Sequence, residues 1–353
     1  MKRRWNICCL LLAAFLASGT LVQCSEGGHQ TPPPLASGDQ EEEEQPDGQP
    51  GYPKGLTVEA FADDLSGGAK CLGYYAVVDF KANPRLRFRP QQAAAKTPTA
   101  YFSSFAASGG GTPYVVVNGG FFNGSLQSVS LLMEAGAVKS IAIQDDYIWS
   151  TTPYTHFFPV RAALGQLPDG SFEATWVYCV ADDANRPYTF PSALNNNEKT
   201  MTFMATAPTS HTAGGRRWSP DYAIGAGPML VYGGKNVAEE NYWKEIFDCG
   251  GLAGLTRQPR TALGVTADGK LVVLVCDGRQ KRGSAGFTLP EMAEKLIALG
   301  CVQGVNLDGG GSSTFVGKDG TVLNMPSDTP GTTLEGATIK QRSIPTAVVI
   351  AEE

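Results

Sequence analysis

Short apolar stretches, separated by glycine, proline, asparagine and aspartate, recur from about residue 74 to the end of the chain. Apolar and β-branched runs bounded by turn-forming residues are typical of strands. The predicted strands span residues 74–80, 114–117, 128–133, 175–180, 229–232 and 344–350. Residues 187–219 show the least regular pattern, which predicts long loops. The pattern therefore indicates a sheet-rich body.

One helix has clear start and stop signals. Thr288 and Glu291 have the spacing of a capping box, and Gly300 follows the last apolar position. Apolar residues at positions 289, 292, 293, 296 and 297 form a stripe at helical spacing, which predicts a helix packed on the core. The next apolar run predicts a strand over residues 302–307. We expect an α+β fold, with a mixed, largely antiparallel sheet system and packed helices.

Residues 261–276 predict a β-hairpin, because Asp268 and Gly269 form a favoured two-residue turn between two apolar runs. This register places Arg260 opposite Asp277. Facing residues on adjacent strands contact each other, so we expect a cross-strand pair of a guanidinium and a carboxylate. An ordinary surface ion pair is the alternative interpretation of the same register.

The N-terminus has the layout of a secretory signal, with basic residues at positions 2–4 followed by an apolar run at 5–16. We assign residues 1–23 to a signal peptide. Cys24 stands where a bacterial lipoprotein carries its lipidated cysteine, although residues 17–19 also suit ordinary cleavage. The expected location is the outer membrane or cell surface, otherwise the periplasm, with a lipid anchor as the only membrane contact.

Residues 24–53 carry the anchor cysteine and a segment rich in proline, glycine, glutamine and acids, which predicts a disordered acidic tether. The tether holds most of the chain's excess negative charge, so the body is nearly neutral and no nucleic-acid partner is expected. We divide the body into an N-terminal β-rich part, 54–110, and a main domain, 111–353. Five cysteines in the body permit at most two internal disulfides.

Three predicted strands end in glycines and polar residues, over residues 115–122, 224–228 and 305–314. Glycines let a backbone approach a ligand closely and turn N–H groups toward an anion or a sugar hydroxyl. Asn118, Asn306 and Asp308 would add directed polar contacts. The last segment lacks the Gly-Lys-Ser/Thr ending of a nucleotide-binding loop. We therefore expect the three strand ends to converge on one cleft.

Four motifs, in order along the chain, resemble the phosphodiester glycosidase family. They are Asn-Gly-Gly-Phe-Phe at 118–122, Pro-Arg-Thr-Ala-Leu-Gly at 259–264, Asp-Gly-Arg at 277–279 and Asn-Leu-Asp-Gly-Gly-Gly-Ser-Ser-Thr at 306–314. The resemblance implies that residues 111–353 form an exported glycosidase domain. It also implies hydrolysis of a sugar-1-phosphodiester, N-acetylglucosamine-like, at the anomeric carbon of a glycan.

Such cleavage builds positive charge on the sugar and negative charge on the departing phosphate. We expect Asp308 to stabilise the sugar, Arg260 to grip the phosphate and Asp277 to orient Arg260 or activate water. Neither a metal nor another cofactor is expected, since the sequence offers no strong constellation of metal ligands. The expected substrate contacts are Asn118, Gly119, Gly120, Thr261, Gly278, Asn306, Gly309, Gly310, Gly311, Ser312 and Ser313.

Three alternatives stay open. In the first, Asp308 has a structural role and its carboxylate only caps its own glycine loop. The whole protein has an alternative function as a non-catalytic glycan-binding surface lipoprotein. A glycosidase acting on ordinary glycosides would instead need two carboxylates at a suitable separation.

Overall fold

The computed structural model describes residues 49–148, 151–249 and 251–353. The predicted signal peptide, Cys24 and most of the predicted tether lie outside these residues. Residues 49–53 contact the body: the Gln49 side chain accepts from the Val58 N–H at 2.7 Å and donates to the Val58 carbonyl at 2.9 Å. The folded body therefore begins several residues before position 54. No helix in the described ranges is long and apolar enough to span a bilayer.

The described residues form twenty strands and three α-helices. The strands are β1 (Leu56–Asp64), β2 (Lys70–Val78), β3 (Leu86–Lys96), β4 (Thr112–Asn118), β5 (Leu132–Glu134), β6 (Ala137–Ser140), β7 (Asp146–Ile148), β8 (Thr155–Phe157), β9 (Arg161–Gln166), β10 (Phe172–Val180), β11 (Arg186–Phe190), β12 (Arg216–Arg217), β13 (Tyr222–Gly225), β14 (Met229–Tyr232), β15 (Lys235–Asn236), β16 (Arg260–Thr266), β17 (Leu271–Cys276), β18 (Cys301–Asn306), β19 (Phe315–Val316) and β20 (Ile344–Glu352). The helices are α1 (Pro98–Ala107), α2 (Ala238–Lys244) and α3 (Leu289–Ala298).

The strands assemble into three main sheets and one small hairpin. The first sheet has the order β1-β2-β17-β16-β18-β14-β15, the second β12-β11-β10-β9-β13-β5-β6, and the third β19-β4-β20-β3. Every strand pair among the described residues is antiparallel. The expected largely antiparallel sheet system is thus confirmed. The expected mixed pairing and prominent packed helices are not: parallel pairing needs long, usually helical crossovers, and the described residues include only three short α-helices.

The three sheets share one hydrophobic core. Phe88 of the third sheet, Trp176 of the second and Val273 of the first all belong to it. A second cluster lies between the first sheet and helices α2 and α3. A third lies between α1 and the third sheet. Each of the three sheets therefore contributes side chains to the common core.

Helix α3 confirms the prediction from its start signals. The Thr288 hydroxyl accepts from the Glu291 N–H, and the Glu291 carboxylate accepts from the Thr288 N–H, which completes the capping box. Met292 and Leu296 are buried against the first sheet. Two residues separate the helix from β18, and this strand leads directly to the glycine-rich segment.

The β16–β17 hairpin has a different register from the predicted one. Arg260 pairs with Cys276, not with Asp277. Gly269 adopts a left-handed φ of +89°, whereas Asp268 does not, so the two-residue turn that needs two such residues does not form. Three residues instead connect Thr266 to Lys270. The slip of one position separates Arg260 from Asp277 in the ladder.

The five cysteines of the described ranges are unpaired thiols. Cys71, Cys179, Cys276 and Cys301 are buried, whereas Cys249 is exposed. Burial raises the pKa of Cys179 and of Cys301 to about 12, because the thiolate loses its hydration. These thiols are therefore packing groups of the core.

Candidate active site

The three glycine-rich strand ends meet where the three sheets join. Asn118 ends β4 in the third sheet, and its Nδ2 donates to the Asp308 carbonyl at 2.7 Å. The Gly227 N–H, which follows β13 of the second sheet, donates to the Asn306 carbonyl at 3.0 Å. Asn306 Nδ2 returns a bond to the Gly227 carbonyl at 2.9 Å. The structure thus brings together segments that are far apart in sequence.

A buried polar network holds the segment 306–314 from beneath. Asn118 Oδ1 accepts from the Thr261 hydroxyl at 2.7 Å and from the Thr314 N–H at 3.3 Å. The Thr261 hydroxyl also lies 3.3 Å from Ser313 Oγ. Asn118, Thr261, Asn306 and Ser313 are fully buried. The predicted substrate contacts by these side chains are wrong for this arrangement, because the groups are used to position the loop.

Four buried polar atoms, three in the loop segment 306–314 and one on β20 beside Gly119, have no hydrogen-bond partner within the described ranges. They are Asn306 Oδ1, Ser312 Oγ, Thr314 Oγ1 and Thr346 Oγ1. The Ser312 hydroxyl nevertheless lies close enough to the Asp308 carboxyl to lower its pKa. Buried unsatisfied polar atoms are rare in native proteins and often mark functional sites.

The predicted glycines divide into two groups. Gly119, Gly120 and Gly278 are buried and pack directly on Thr346, on the Gly225 carbonyl and on Pro259, respectively. Gly309 and Gly310 are partly exposed and form the outer rim of the site, while Gly311 lies just beneath. The second group is the one placed to approach a ligand.

Gly311 permits one specific close approach. A Cβ atom there would lie 2.1 Å from Asp328 Oδ1 and 2.2 Å from Arg342 Nη2. Any larger residue would displace the Asp328–Arg342 ion pair, in which Nη2 and Oδ1 are 2.9 Å apart. The triple glycine therefore brings a charged pair from a distant segment onto the loop.

Asp308 is the carboxylate of the site. Its backbone is fixed by the bond from Asn118 and by its own N–H, which donates to the Gly119 carbonyl at 3.1 Å. Its Oδ1 accepts from the Gly309 N–H at 2.9 Å. Loss of hydration in the crevice raises the pKa of Asp308 to about 6, although Ser312, the Gly309 N–H and the positive charge of Arg342 oppose this rise. A partly exposed carboxyl with a pKa near 6 suits catalysis near neutral pH.

Arg260 is not exposed at the site, as direct binding of a phosphate would require. Its side chain is 1% exposed, and its donors are directed at backbone carbonyls. Nε donates to Phe287 at 3.1 Å, and Nη2 donates to Ala253 at 2.8 Å and to Thr256 at 2.9 Å. The prediction that Arg260 binds phosphate directly is therefore contradicted. The register slip explains the error, since Arg260 is directed toward the loop between α2 and β16.

Asp277 also has a structural environment. One oxygen accepts from Asn324 Nδ2 at 3.0 Å and from the Met325 N–H at 2.8 Å, and the other accepts from Arg282 Nε at 2.6 Å. Burial raises the pKa of Asp277, and the charge of Arg282 opposes the shift. Both oxygens are occupied, so the predicted roles of orienting Arg260 or activating water do not fit this geometry. Asp277 instead links β17 to the segment after β19.

Two arginines that were not predicted as site residues flank the exposed glycines. Arg279 is exposed, and its Nη2 lies 3.2 Å from the position of a Cβ on Gly310. Arg342 lies beside Gly311 and lowers the pKa of Asp308 through its charge. The Asp-Gly-Arg motif contains Arg279 and could have indicated it. No sequence signal indicates Arg342, which lies outside all four motifs.

The arrangement of motifs at one site agrees with comparison to known families. A model of the phosphodiester glycosidase family matches residues 111–351, about two thirds of the chain. The chain belongs to this family. The match includes all four motifs and confirms the resemblance seen in the sequence.

Curated relatives align over a short part of the chain. The N-acetylglucosamine-1-phosphodiester alpha-N-acetylglucosaminidases of Bos taurus and Homo sapiens are 48% and 46% identical to it over 69 residues. These residues are 20% of this chain but only 12% and 13% of those proteins. An uncharacterized SPbeta prophage-derived protein of Bacillus subtilis (strain 168), YomE, is 40% identical over 72 residues, 20% of this chain and 11% of YomE.

Solved structures share the fold over most of the chain. The catalytic domain of a zebrafish N-acetylglucosamine-1-phosphodiester alpha-N-acetylglucosaminidase, auto-inhibited by its pro-peptide, matches with a TM-score of 0.57 and 17% identity, covering 86% of both chains. A Synechocystis protein matches with a TM-score of 0.51 and 17% identity, covering 85% of this chain and 62% of that one. These matches support the fold of the body.

Proposed function

We propose that this protein is an exported glycosidase that hydrolyses a sugar-1-phosphodiester at the anomeric carbon, with Asp308 as the carboxylate beside that carbon. One observation carries the proposal: the exposed glycine loop of a phosphodiester glycosidase domain presents a partly buried carboxyl with a pKa of about 6. Among the three predicted catalytic residues, only Asp308 lies at the accessible rim.

The reaction breaks the bond between the anomeric carbon and the phosphate oxygen. The bonding electron pair leaves with the phosphate, which becomes a phosphomonoester, and water supplies the new hydroxyl on the sugar. Positive charge develops on the sugar ring, and the Asp308 carboxylate stabilises it at close range. Phosphate leaves readily without protonation, so a single carboxylate is sufficient, and the proton lost by water passes to solvent.

The glycine loop shapes the part of the site that receives the sugar. Gly309 and Gly310 present backbone without side chains at the rim, which leaves room for a pyranose ring beside Asp308. The buried network beneath holds the preceding residue, Asp308, through the side chain of Asn118, and the Gly310 N–H donates to the Pro259 carbonyl at 3.0 Å. An N-acetylglucosamine-like sugar is favoured because the matched Bos taurus and Homo sapiens enzymes are named for it.

The test is turnover of a panel of methyl-phosphate sugar-1-diesters, together with UDP-N-acetylglucosamine, by the purified full chain and by Asp308→Asn. We expect the wild-type protein to release free sugar from at least one N-acetylhexosamine diester. Asp308→Asn should lower turnover by at least a hundredfold, since it removes the charge that stabilises the transition state.

Asp64→Asn is the matched control, because the Asp64 side chain is 87% exposed on edge strand β1. It should turn over at the wild-type rate. Binding of the diesters without sugar release would establish the alternative, a glycan-binding protein without catalysis. Equal turnover by Asp308→Asn in a folded protein would show that Asp308 only caps its own loop.

The proposed location, outside the cytoplasm and attached through Cys24, has its own test. Metabolic labelling with a radioactive fatty acid should mark the wild-type chain, while Cys24→Ser should be unlabelled and released in soluble form. An unlabelled wild-type chain with a free N-terminus after residues 17–19 would instead show ordinary signal cleavage.

A further inference from the structure

Arg279 presents a cation at the glycine rim without a carboxylate partner. Its Nε donates to Gln258 Oε1 at 3.1 Å, and its Nη1 donates to Ser327 Oγ at 3.3 Å. Among the described residues, Arg279 forms no ion pair, and its Nη2, beside Gly310, makes no hydrogen bond. Its backbone has a left-handed φ of 54°. Non-glycine residues in this conformation are uncommon and concentrate at functional sites.

Arg342 lies beside the next glycine of the same loop, Gly311, and is held in one orientation. Its Nε and Nη2 donate to the two oxygens of Asp328 at 3.0 and 2.9 Å. The segment that carries Asp328 is fixed in turn by buried Lys281, whose Nζ donates to the carbonyls of Thr329 and Gly331. The bidentate pair leaves Arg342 Nη1 without a partner within the described ranges, and 39% of the side chain is exposed.

The local charges favour an anion. Asp328 neutralises Arg342, and Asp277 neutralises Arg282. Arg279 has no carboxylate partner among the described residues, and its charge helps to lower the pKa of the buried Arg260. Among the arginines that the structure describes around the glycine loop, Arg279 is therefore the one whose charge no carboxylate neutralises, and it lies beside Gly310. An anion bound there would supply the missing negative charge.

We propose that Arg279 and Arg342 form a two-arginine clamp that binds the phosphate of the substrate. This is the role that the sequence predicted for Arg260. This inference rests on the proposed function. The two guanidinium groups flank consecutive glycines whose Cα atoms are about 3.8 Å apart. Each offers a donor to a phosphate oxygen beside Asp308. Asp328 is a positioning residue that orients Arg342, and Ser327 and Gln258 orient Arg279.

The first experiment measures binding of inorganic phosphate to the full chain by calorimetric titration, which does not require turnover. Arg279→Gln should weaken phosphate binding about tenfold or more, because a charge-assisted hydrogen bond is lost. Arg342→Lys keeps a charge but loses the fork that pairs with Asp328, and should weaken binding by a smaller factor. Arg216→Gln, on exposed strand β12, is the matched control and should leave binding unchanged.

The second experiment compares kcat/KM for a methyl-phosphate sugar-1-diester with kcat/KM for an aryl glycoside of the same sugar, which has a neutral leaving group. Arg279→Gln should lower the first at least tenfold and change the second little. Asp328→Asn should raise KM for the diester and leave the aryl glycoside unaffected.

The outcomes separate the clamp from the proposed function. Arginine-dependent phosphate binding without any turnover would support the clamp and reject the glycosidase. Turnover of the diester with equal phosphate binding in wild type, Arg279→Gln and Arg342→Lys would overturn the clamp and support the glycosidase. Phosphate binding that also weakens in Arg216→Gln would overturn it too, since a diffuse charge effect would explain the loss.

Discussion

Replacing Arg260 by alanine distinguishes a buried structural arginine from a substrate-binding one. The substitution removes three hydrogen bonds from a charged donor, to the carbonyls of Phe287, Ala253 and Thr256. The Phe287 and Ala253 carbonyls still accept from the backbone N–H groups of Gln258 and Thr256. At about 2 kcal/mol for each hydrogen bond from a charged group, the loss is roughly 6 kcal/mol. Burial lowers the pKa of Arg260 to about 10, so removing the buried charge returns about 3 kcal/mol. The net expected loss of stability is about 3 kcal/mol, before any cavity cost is added.

For a body of about 300 residues, this loss lowers the Tm by about 5 °C. We would measure the Tm by calorimetry and then turnover at 20 °C, where Arg260→Ala should still be folded. Turnover of the folded variant should stay within about fivefold of wild type, because Arg260 has no exposed donor. Arg260→Lys should have intermediate stability. An unchanged Tm combined with a hundredfold loss of turnover would refute the structural assignment and restore the phosphate contact.

Four further predictions concern the site and the core. With Asp308 acting as a carboxylate of pKa about 6, kcat/KM should rise about tenfold per pH unit below 6 and level off above it; a rate that falls above pH 6 would instead identify an acid. Because the pKa of Asp308 is raised on folding, the wild-type protein loses stability as pH rises from about 3.8 to about 6 and this carboxyl ionises. In chemical unfolding, Asp308→Asn should therefore be more stable than wild type at pH 8, by up to about 3 kcal/mol, and equally stable at pH 3.5. Gly311→Ala should reduce turnover at least tenfold, since its Cβ would lie 2.1 Å from a carboxylate oxygen of Asp328. Gly124→Ala is the control and should leave turnover unchanged, because a Cβ there has open space around it. Equal turnover by the two variants would contradict the close approach at Gly311. Of the five thiols of the described ranges, Cys249 should react first with a thiol reagent in the native protein, because it alone is exposed. Its reaction should still be slow at neutral pH, since loss of hydration and the nearby Glu198 raise its pKa to about 12. The other four thiols should react only on unfolding, and a failure to react then would show that they form disulfides.

The sequence predicted the features that depend on local patterns. The capping box located helix α3, and the apolar run 229–232 has the bounds of β14, Met229–Tyr232. The glycine-rich strand ends could be expected to converge because the same residue types recur at the end of each strand. These signals lie within a few residues of each other, so local physics is sufficient to interpret them.

The errors come from features that only the assembled chain decides. One extra residue in the turn at Gly269 moved Arg260 away from Asp277, and a slip of one position redirects a whole strand. The sequence also did not show which polar side chains are exposed. The residue types at 118, 261 and 306 suit sugar hydroxyls, yet these side chains are fully buried in the folded chain. Arg342 reaches the site only because a close approach at Gly311 admits it.

The site is held by contacts between segments that are very distant along the chain. Asn118 and Asp308 are 190 positions apart, and Thr261 and Asn118 are 143 apart. Closing such large loops is entropically costly and slow, so we expect these bonds to form only after all three sheets have docked. We also expect that no fragment of the body retains a partial site. Recovery of sugar release during refolding should therefore lag behind recovery of strand structure, which makes turnover a reporter of complete folding.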